Sequence, residues 1–219
     1  MRIDAGAGWS PSRGASSGWR HLARDVRLPR IIGHRGVAAR APENTLAGFR
    51  KAAELGFTGV YVPEAYGGAG LDHIAQTIVI EEISRVCAST GVILSVCTTL
   101  FCDPILRFGT EEQKQTYVTP HARGEKIGCY CLTEPQAGSE AHNLRTRAEL
   151  RDGQWVINGA KQFVSNGKRA KLAIVFAVTD PELGKKGISA FLVPTNTPGF
   201  VVDRTEHKMG IRASDTCAV

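Results

Sequence analysis

Two short stretches in the second half of the sequence carry the side chains best suited to chemistry. The first, residues 130–139 (YCLTEPQAGS), follows an expected strand and places a hydroxyl at Thr133 and a glycine-serine pair at Gly138 and Ser139. Backbone amides beside glycine can approach an anion closely, so the loop suits a phosphate-bearing ligand. A strand-to-loop junction also uses Thr, Pro and Gly simply to turn, and the residues alone leave that explanation open.

The second stretch is residues 155–167 (WVINGAKQFVSNG). Asn158-Gly159 is a hairpin signal, and it predicts a returning strand on which Phe163 and Ser165 alternate onto one face. An aromatic ring and a hydroxyl on one strand face are able to lie against a flat heteroaromatic ligand. They fit a core position and a turn equally well.

Several other reactive side chains receive a structural interpretation. The Glu134 carboxylate suggests a catalytic base, but we expect a loop carboxylate that fixes the turn. The six cysteines lie mostly in apolar runs, which indicates buried free thiols and not a disulfide framework. No Cys/His group completes a zinc site, so no metal site is predicted. The cysteines are Cys87, Cys97, Cys102, Cys129, Cys131 and Cys217.

The periodicity that must position these residues changes along the chain. Helical spacing predicts helices over 72–85 and 91–102, and Thr110 before Glu111 and Glu112 marks a further helix start. After Gly124 the pattern alternates and is rich in β-branched residues, which predicts an α+β fold with strands in the second half. The expected strands are 126–132, 145–150, 154–157, 173–178, 188–193 and 200–204.

Charge and hydropathy exclude two classes of partner. The net charge is +6, but residues 1–51 hold ten Lys/Arg against three Asp/Glu, which is +7 and leaves −1 for the rest. The basic excess therefore belongs to the leading segment, and we expect no nucleic-acid partner. No apolar stretch approaches the roughly 20 residues of a membrane-spanning helix, so no membrane span is expected and the location is predicted to be intracellular.

The two stretches, in this order and joined by a short β connection, resemble the flavin-contacting motifs of the acyl-CoA dehydrogenase family. Further segments resemble that family in the family's order: GFTGVYVPEAYGGAGLD, EEISRVCAST, ILRFGTEEQKQTYV and HKMGIRASDTCAV. The resemblance runs from about Phe49 to Val219. It implies a partial helical domain over 45–125 and a β-barrel or sandwich-like flavin-binding domain over 126–219.

The resemblance implies FAD as cofactor and a role for seven residues. Tyr130, Leu132 and Thr133 would border the flavin ring, with Thr133 donating toward its pyrimidine edge. Phe163 and Ser165 would cover the other side, and Phe163 stands where many members have Trp. The remaining two, Gly138 and Ser139, would meet the pyrophosphate or the polar end of the thioester substrate.

The implied reaction is α,β-dehydrogenation of an acyl-CoA thioester, in which a carboxylate base removes the α-proton. In the family that base lies on a C-terminal helical bundle, which also builds most of the subunit interface. The sequence ends at Val219, so we expect a truncated chain without bundle or base, with weak or no turnover. The resemblance further implies an electron-transfer flavoprotein-like acceptor, a homo-oligomer, and a cytoplasmic or, in a eukaryote, mitochondrial matrix location. The alternative is a non-catalytic fragment or interaction module with the same fold.

The front of the chain suggests a different family. After a flexible tail expected over 1–26, residues 27–56 (RLPRIIGHRGVAARAPENTLAGFRKAAELG) resemble the opening of glycerophosphodiester phosphodiesterases, with His34-Arg35 and Glu43 at matching positions. Those enzymes need a complete barrel of roughly 250 residues. We therefore expect a remnant that runs into the first helix, without phosphodiesterase activity.

Overall fold

The computed structural model describes residues 56–219, in which helices come first and strands follow. The expected tail and nearly all of the phosphodiesterase-like stretch lie outside these residues. The described part is a mixture of helix and sheet.

Short helical turns open it at Phe57–Gly59 and Glu64–Tyr66, and the first long helix, α1, is His73–Val86. The Asp72 carboxylate begins α1 because it accepts a hydrogen bond from the Ala75 amide at 2.8 Å, which satisfies one of the free first-turn amides.

The next helix is longer than the sequence pattern predicted. It runs as α2 (Ala88–Ser95), a π-helical segment (Val96–Cys102) and α3 (Asp103–Phe108). Hydroxyls inside it bond to the helix's own carbonyls, with Thr98 donating to Leu94 at 2.5 Å. These hydroxyls are therefore satisfied within the apolar helix.

This helix corrects the expectation that no apolar stretch approaches the length of a membrane span. Residues 88–108 form 21 residues of helix, and the most apolar 18-residue window within it has a mean hydropathy of 1.5, so the helix is long and apolar enough to cross a membrane. However, 61% of its most apolar window is buried inside the fold. Burial of that extent is typical of a core helix.

A third helical run follows Gly109. It comprises α4 (Glu111–Gln113), a second π-helical segment (Lys114–Val118) and α5 (Thr119–Ala122). The predicted start at Thr110 is confirmed as a capping box, in which Thr110 and Gln113 each bind the other's backbone amide with a side-chain oxygen.

Within residues 56–219 there are eight strands: β1 Gly128–Cys131, β2 Arg147–Arg151, β3 Gln154–Asn158, β4 Val164–Ser165, β5 Leu172–Val178, β6 Ile188–Pro194, β7 Arg204–Thr205 and β8 Thr216–Ala218. They form two sheets and no closed barrel, which corrects the barrel part of the expected fold class. In the five-stranded sheet, β5 is central, with β1 and the end of β2 along one edge, β6 along the other, and β3 beyond β2. The second sheet has the order β4-β8-β7 and is antiparallel.

The hairpin predicted at Asn158-Gly159 lies elsewhere. β2 and β3 pair antiparallel around Asp152 and Gly153, whose φ angles of 50° and 76° are those of a tight hairpin turn. Gly159 instead follows the end of β3, where a Cβ would lie 2.3 Å from the Thr146 hydroxyl. The missing side chain at Gly159 allows the backbone there to lie close to Thr146. In the sequence, a glycine needed for such a contact looks the same as a glycine needed for a turn.

Helices and sheet share one core. Its largest members join the long helix to β5, and Phe101, Ile105 and Ile174 are fully buried in it. Gly128 lets β1 approach this helix, because a Cβ there would lie 2.2 Å from the Phe101 ring. The π-helical segment Val96–Cys102 is thereby held directly against β1. All six cysteines are free and buried, as predicted.

Candidate functional site

A cleft of about 230 Å³ opens where the π-helical segment, β1 and β4 meet. Seven residues line it, and five of them are residues that the sequence analysis assigned to a flavin. The lining residues are Val96, Leu100, Tyr130, Leu132, Thr133, Phe163 and Ser165.

β1 supplies one wall through strand alternation. Cys129 and Cys131 point into the core and are fully buried, so Tyr130 and Leu132 point to the opposite face and are half-buried. The Tyr130 ring packs against Phe176 with its centroid 5.0 Å away, and burial raises the pKa of its hydroxyl. Thr133 follows the end of this strand and also lines the cleft.

The opposite wall is residues 163–165. β4 is only Val164–Ser165 and pairs with β8, so Phe163 precedes the strand and does not alternate along it as predicted. Its φ of +57° lies in the left-handed region, and its ring is 60% exposed. A large side chain in this conformation is unusual, and such residues cluster at functional sites.

The third wall was not predicted. Val96 and Leu100 lie four residues apart in the π-helical segment, and Leu100 is exposed although it is apolar. The sequence pattern predicts a helix over 91–102, but it does not indicate which face of that helix meets the cleft. An inserted π-turn, which is frequent at functional sites, changes that face.

Gly138 and Ser139 are not brought into this lining. Both are exposed on the loop after β1, and a Cβ at Gly138 would meet no atom within 4 Å. This structure therefore shows no close backbone approach at Gly138.

Glu134 is buried and holds the loop, as the structural interpretation predicted. Its carboxylate accepts hydrogen bonds from the side chains of Lys161 and Gln136, both at 2.7 Å, and from the amides of Arg145 at 2.7 Å and Thr146 at 3.0 Å. Burial raises the pKa of the Glu134 carboxyl, but these bonds outweigh that effect and lower it to about 2. An ionised carboxylate with all its lone pairs engaged cannot reach into the cleft as a base.

Lys161 is the partner that sequence reasoning missed. Its ammonium is 2.7 Å from Glu134 and also donates to the Leu132 carbonyl at 3.1 Å. Only 4% of its side chain is exposed, and burial lowers the pKa of the ammonium while the bond to Glu134 opposes that shift. A lysine between two predicted strands gave no sign that it was buried.

The cleft suits a flat conjugated ring with polar edges. Apolar and aromatic residues line it on all three sides, and Thr133 and Ser165 add hydroxyl-bearing side chains, so apolar and polar surface both face the cleft. A cofactor site combines hydrophobic and aromatic side chains with polar groups that fix the orientation of the ligand. Among the described residues, no carboxylate lines the cleft and no group of three or more His, Cys, Asp or Glu side chains could hold a metal ion.

Comparison with known proteins decides the family. The model of the acyl-CoA dehydrogenase N-terminal domain matches residues 19–125, and that of the acyl-CoA dehydrogenase middle domain matches residues 129–219. The chain belongs to the acyl-CoA dehydrogenase family. The N-terminal match extends through 27–56, and no comparison supports the phosphodiesterase resemblance of that stretch or the alternative of an interaction module.

Three acyl-CoA dehydrogenase relatives show how similar this chain is to known proteins in sequence and in structure. Human mitochondrial short-chain specific acyl-CoA dehydrogenase is 52% identical over 167 residues, which cover 76% of this chain and 40% of that protein. A chain in the structure of the electron transferring flavoprotein of Acidaminococcus fermentans has a TM-score of 0.76 at 44% identity, covering 78% of this chain and 45% of that one. Butyryl-CoA dehydrogenase from Megasphaera elsdenii has a TM-score of 0.75 at 39% identity, with 79% and 46% coverage. The chain thus spans about half or less of the length of these relatives.

Members of the family are FAD-dependent oxidoreductases. A neighbour from Bacillus anthracis is an acyl-CoA dehydrogenase complexed with FAD, with a TM-score of 0.69 and 36% identity over 78% of this chain and 29% of that one.

Proposed function

We propose that the cleft between Thr133 and Phe163 holds the flavin ring of FAD and that the chain forms the cofactor-binding part of an acyl-CoA dehydrogenase. The observation that carries this proposal is convergence. Five residues chosen from two stretches about 30 positions apart line one cleft, and Thr133 and Ser165 among them carry hydroxyls. Residues 45–125 then act as the helical domain and residues 126–219 as the flavin-binding domain.

Each wall has a task in this arrangement. Thr133 donates a hydrogen bond toward the pyrimidine edge of the ring, and Ser165 donates from the other side. Phe163 covers the ring face, while Tyr130 and Leu132 border it and exclude water together with Val96 and Leu100. The exposed pair Gly138 and Ser139 meets the pyrophosphate or the polar end of the thioester, which requires the loop after Glu134 to close over a bound ligand.

FAD, when bound, would accept a hydride from the β-carbon of an acyl-CoA thioester while a base takes the α-proton. The described residues supply no base to the cleft, since Glu134 is committed to four hydrogen bonds. The base would therefore come from residues beyond those described. Family members act on acyl-CoA and pass electrons to electron-transferring flavoprotein, and we extend both to this protein, together with homo-oligomers and a cytoplasmic or mitochondrial matrix location.

The test is to titrate the full chain with FAD and to measure binding by the quenching of flavin fluorescence. Thr133→Val removes the hydroxyl at constant shape, and we expect FAD affinity to fall about tenfold for the loss of one hydrogen bond to the ring, ~1.4 kcal/mol. Thr197→Val, at an exposed threonine outside the cleft, is the matched control. A folded chain that binds no FAD, or equal effects of the two variants, would contradict the proposal. Acyl-CoA-dependent dye reduction by the FAD-loaded chain tests the activity separately.

A further inference from the structure

The buried Lys161–Glu134 ion pair joins the two segments that form facing walls of the cleft. Lys161 lies two residues before Phe163, and Glu134 lies directly after Thr133. Their side chains are 4% and 2% exposed, and their charged atoms are 2.7 Å apart. Removing either partner would leave a buried charge short of its counter-ion, which is among the costlier changes in a protein.

The pair is one of several bonds between these segments. The Lys161 ammonium also donates to the carbonyl of Leu132, a residue that lines the cleft, at 3.1 Å. The next amide along, Gln162 N–H, donates to the Thr133 carbonyl at 2.8 Å. The carbonyls of Leu132 and Thr133, two of the three cleft residues on the β1 side, are therefore held by consecutive residues of the other segment.

Lys161 itself is anchored from behind. Its amide donates to the Val219 carbonyl at 2.7 Å, and the Val219 amide donates back to its carbonyl at 2.9 Å. Glu134 is anchored in turn by the Arg145 and Thr146 amides, just before β2. Each member of the pair is fixed to a different strand system, so the ion pair joins the two walls together with the bond from the Gln162 amide to the Thr133 carbonyl.

We propose that Lys161 and Glu134 are positioning residues that hold the β1 wall and the Phe163 wall at the separation a flavin ring needs. This inference rests on the proposed function for its ligand. Neither side chain lines the cleft, and both act through Leu132, Thr133 and Phe163.

The test compares three variants of the full chain. Lys161→Met keeps the length of the side chain and removes its charge, Lys161→Arg keeps the charge and the donors, and Phe191→Leu weakens a core cluster that does not line the cleft. We expect Lys161→Met to raise the FAD dissociation constant at least tenfold and to broaden the absorption bands of the bound flavin. Lys161→Arg should stay within about threefold of the unaltered chain, and Phe191→Leu should bind FAD unchanged.

A second measurement requires no flavin. Amide hydrogen exchange at Gln162, Arg145 and Thr146 reports the bonds that hold the walls together, and Lys161→Met should accelerate it while Phe191→Leu should not. If the unaltered chain binds no FAD, the proposed function fails, and exchange still decides the positioning role. Should Lys161→Met not fold, Glu134→Asp replaces it, because it keeps both charges and shortens one arm by a methylene. The proposal is overturned if Lys161→Met leaves amide exchange at Gln162 unchanged. It is also overturned if Lys161→Met and Phe191→Leu change the FAD dissociation constant by the same factor.

Discussion

Phe163 combines a left-handed backbone conformation with an exposed ring. For a residue with a Cβ, this conformation costs about 1–2 kcal/mol. The ring is 60% exposed and so recovers little of that cost by burial in the described residues. A strained residue whose ring has no full partner is best explained by a ligand that the ring covers.

Replacing Phe163 with Gly should therefore separate folding from binding. Phe163→Gly and Phe163→Ala both remove the ring, and we expect each to weaken FAD binding about tenfold, or ~1.4 kcal/mol of lost stacking. Glycine accepts a positive φ without strain, so Phe163→Gly should be more stable in urea than Phe163→Ala by about 1 kcal/mol. Phe163→Trp retains an aromatic face and is the control that should keep FAD. Equal stability of the Gly and Ala variants would show that the backbone is not strained.

Glu134 should make stability depend on acid pH. The pKa of its carboxyl is lowered to about 2 in the folded chain, against an ordinary value of about 4.3. Its ionisation therefore favours the folded state fully above about pH 4.3, and that contribution is lost as pH falls toward 2. Glu134→Gln should be less stable than the unaltered chain at pH 6, and the difference in urea midpoint should narrow between pH 4.3 and 2.

His121 is also buried and titrates near this pH range, so its effect on stability must be distinguished from that of Glu134. Burial lowers the pKa of His121 to about 4, so its protonation destabilises the fold below its ordinary value of about 6.5. His121 is present in both chains, so it cancels in the difference between them. Glu149→Gln, at an exposed carboxylate, serves as control. A difference that stays constant from pH 6 to pH 2 would contradict the assignment.

At the scale of elements, the close contact of β1 with the π-helical segment Val96–Cys102 forms the cleft. Gly128 permits that contact, because a Cβ there would lie 2.2–2.5 Å from three carbons of the Phe101 ring. Phe101 is fully buried, so its ring has no free space to move into. A side chain at position 128 must push the helix and its two cleft residues, Val96 and Leu100, away from β1.

Gly128→Ala should therefore lower both stability and FAD affinity. Overpacking of a filled core typically costs 1–3 kcal/mol, and the moved helix opens one wall of the cleft. Gly210→Ala is the matched control, since a Cβ there meets no atom within 4 Å. Urea unfolding and FAD titration of the two variants provide the measurement. A Gly128→Ala chain as stable as the Gly210→Ala chain would mean that the helix and β1 are not in tight contact.

Elements that follow from local rules could be predicted, and those set by distant contacts could not. Alternation placed β5 and β6 within one residue at each end, and the cap at Thr110 follows from its neighbours. The long helix was predicted as 91–102 because the apolar run ends before Asp103-Pro104, but Pro104 lies in the first turn of α3 and does not end the helix. The hairpin predicted at Asn158-Gly159 was wrong because the contact of Gly159 with Thr146 cannot be recognised from the sequence. The pairing of Lys161 with Glu134 was missed for the same reason: it spans 27 residues.

At the scale of the whole molecule, the helices and the five-stranded sheet share a hydrophobic core. Phe101 and Ile105 from the long helix share a core with Leu172 and Ile174 of β5. The cleft is built on both, since Val96 and Leu100 face residues carried by β1 and β4. A ligand in the cleft therefore contacts both parts and should stabilise them together.

Apolar surface on the β2–β3 hairpin should promote association of the chain. Leu150 is 60% exposed and pairs across the strands with Trp155, which is 36% exposed. Contiguous apolar surface of this kind is usually covered in a complete assembly. We expect Leu150→Lys to reduce the apparent mass in light scattering, while Glu149→Lys on the opposite face of β2 leaves it unchanged. A monomer with or without the substitution would contradict this expectation.

FAD should raise the melting temperature of helices and sheets by the same amount. At a free FAD concentration of 100 times the dissociation constant, binding stabilises the fold by ~2.7 kcal/mol. In a chain of this size each kcal/mol shifts the midpoint by about 2–4 °C, so the expected rise is roughly 5–10 °C. Far-UV circular dichroism follows the helices, and fluorescence of Trp155 in β3 follows the sheet once Trp9 and Trp19 are replaced by Phe.

At the same FAD concentration, a Phe163→Gly chain that binds FAD tenfold more weakly should show about half the shift in melting temperature, which corresponds to ~1.4 kcal/mol. If FAD moved one signal and not the other, the helical part and the sheet would be separate units, and a cleft built from both could not be the binding site.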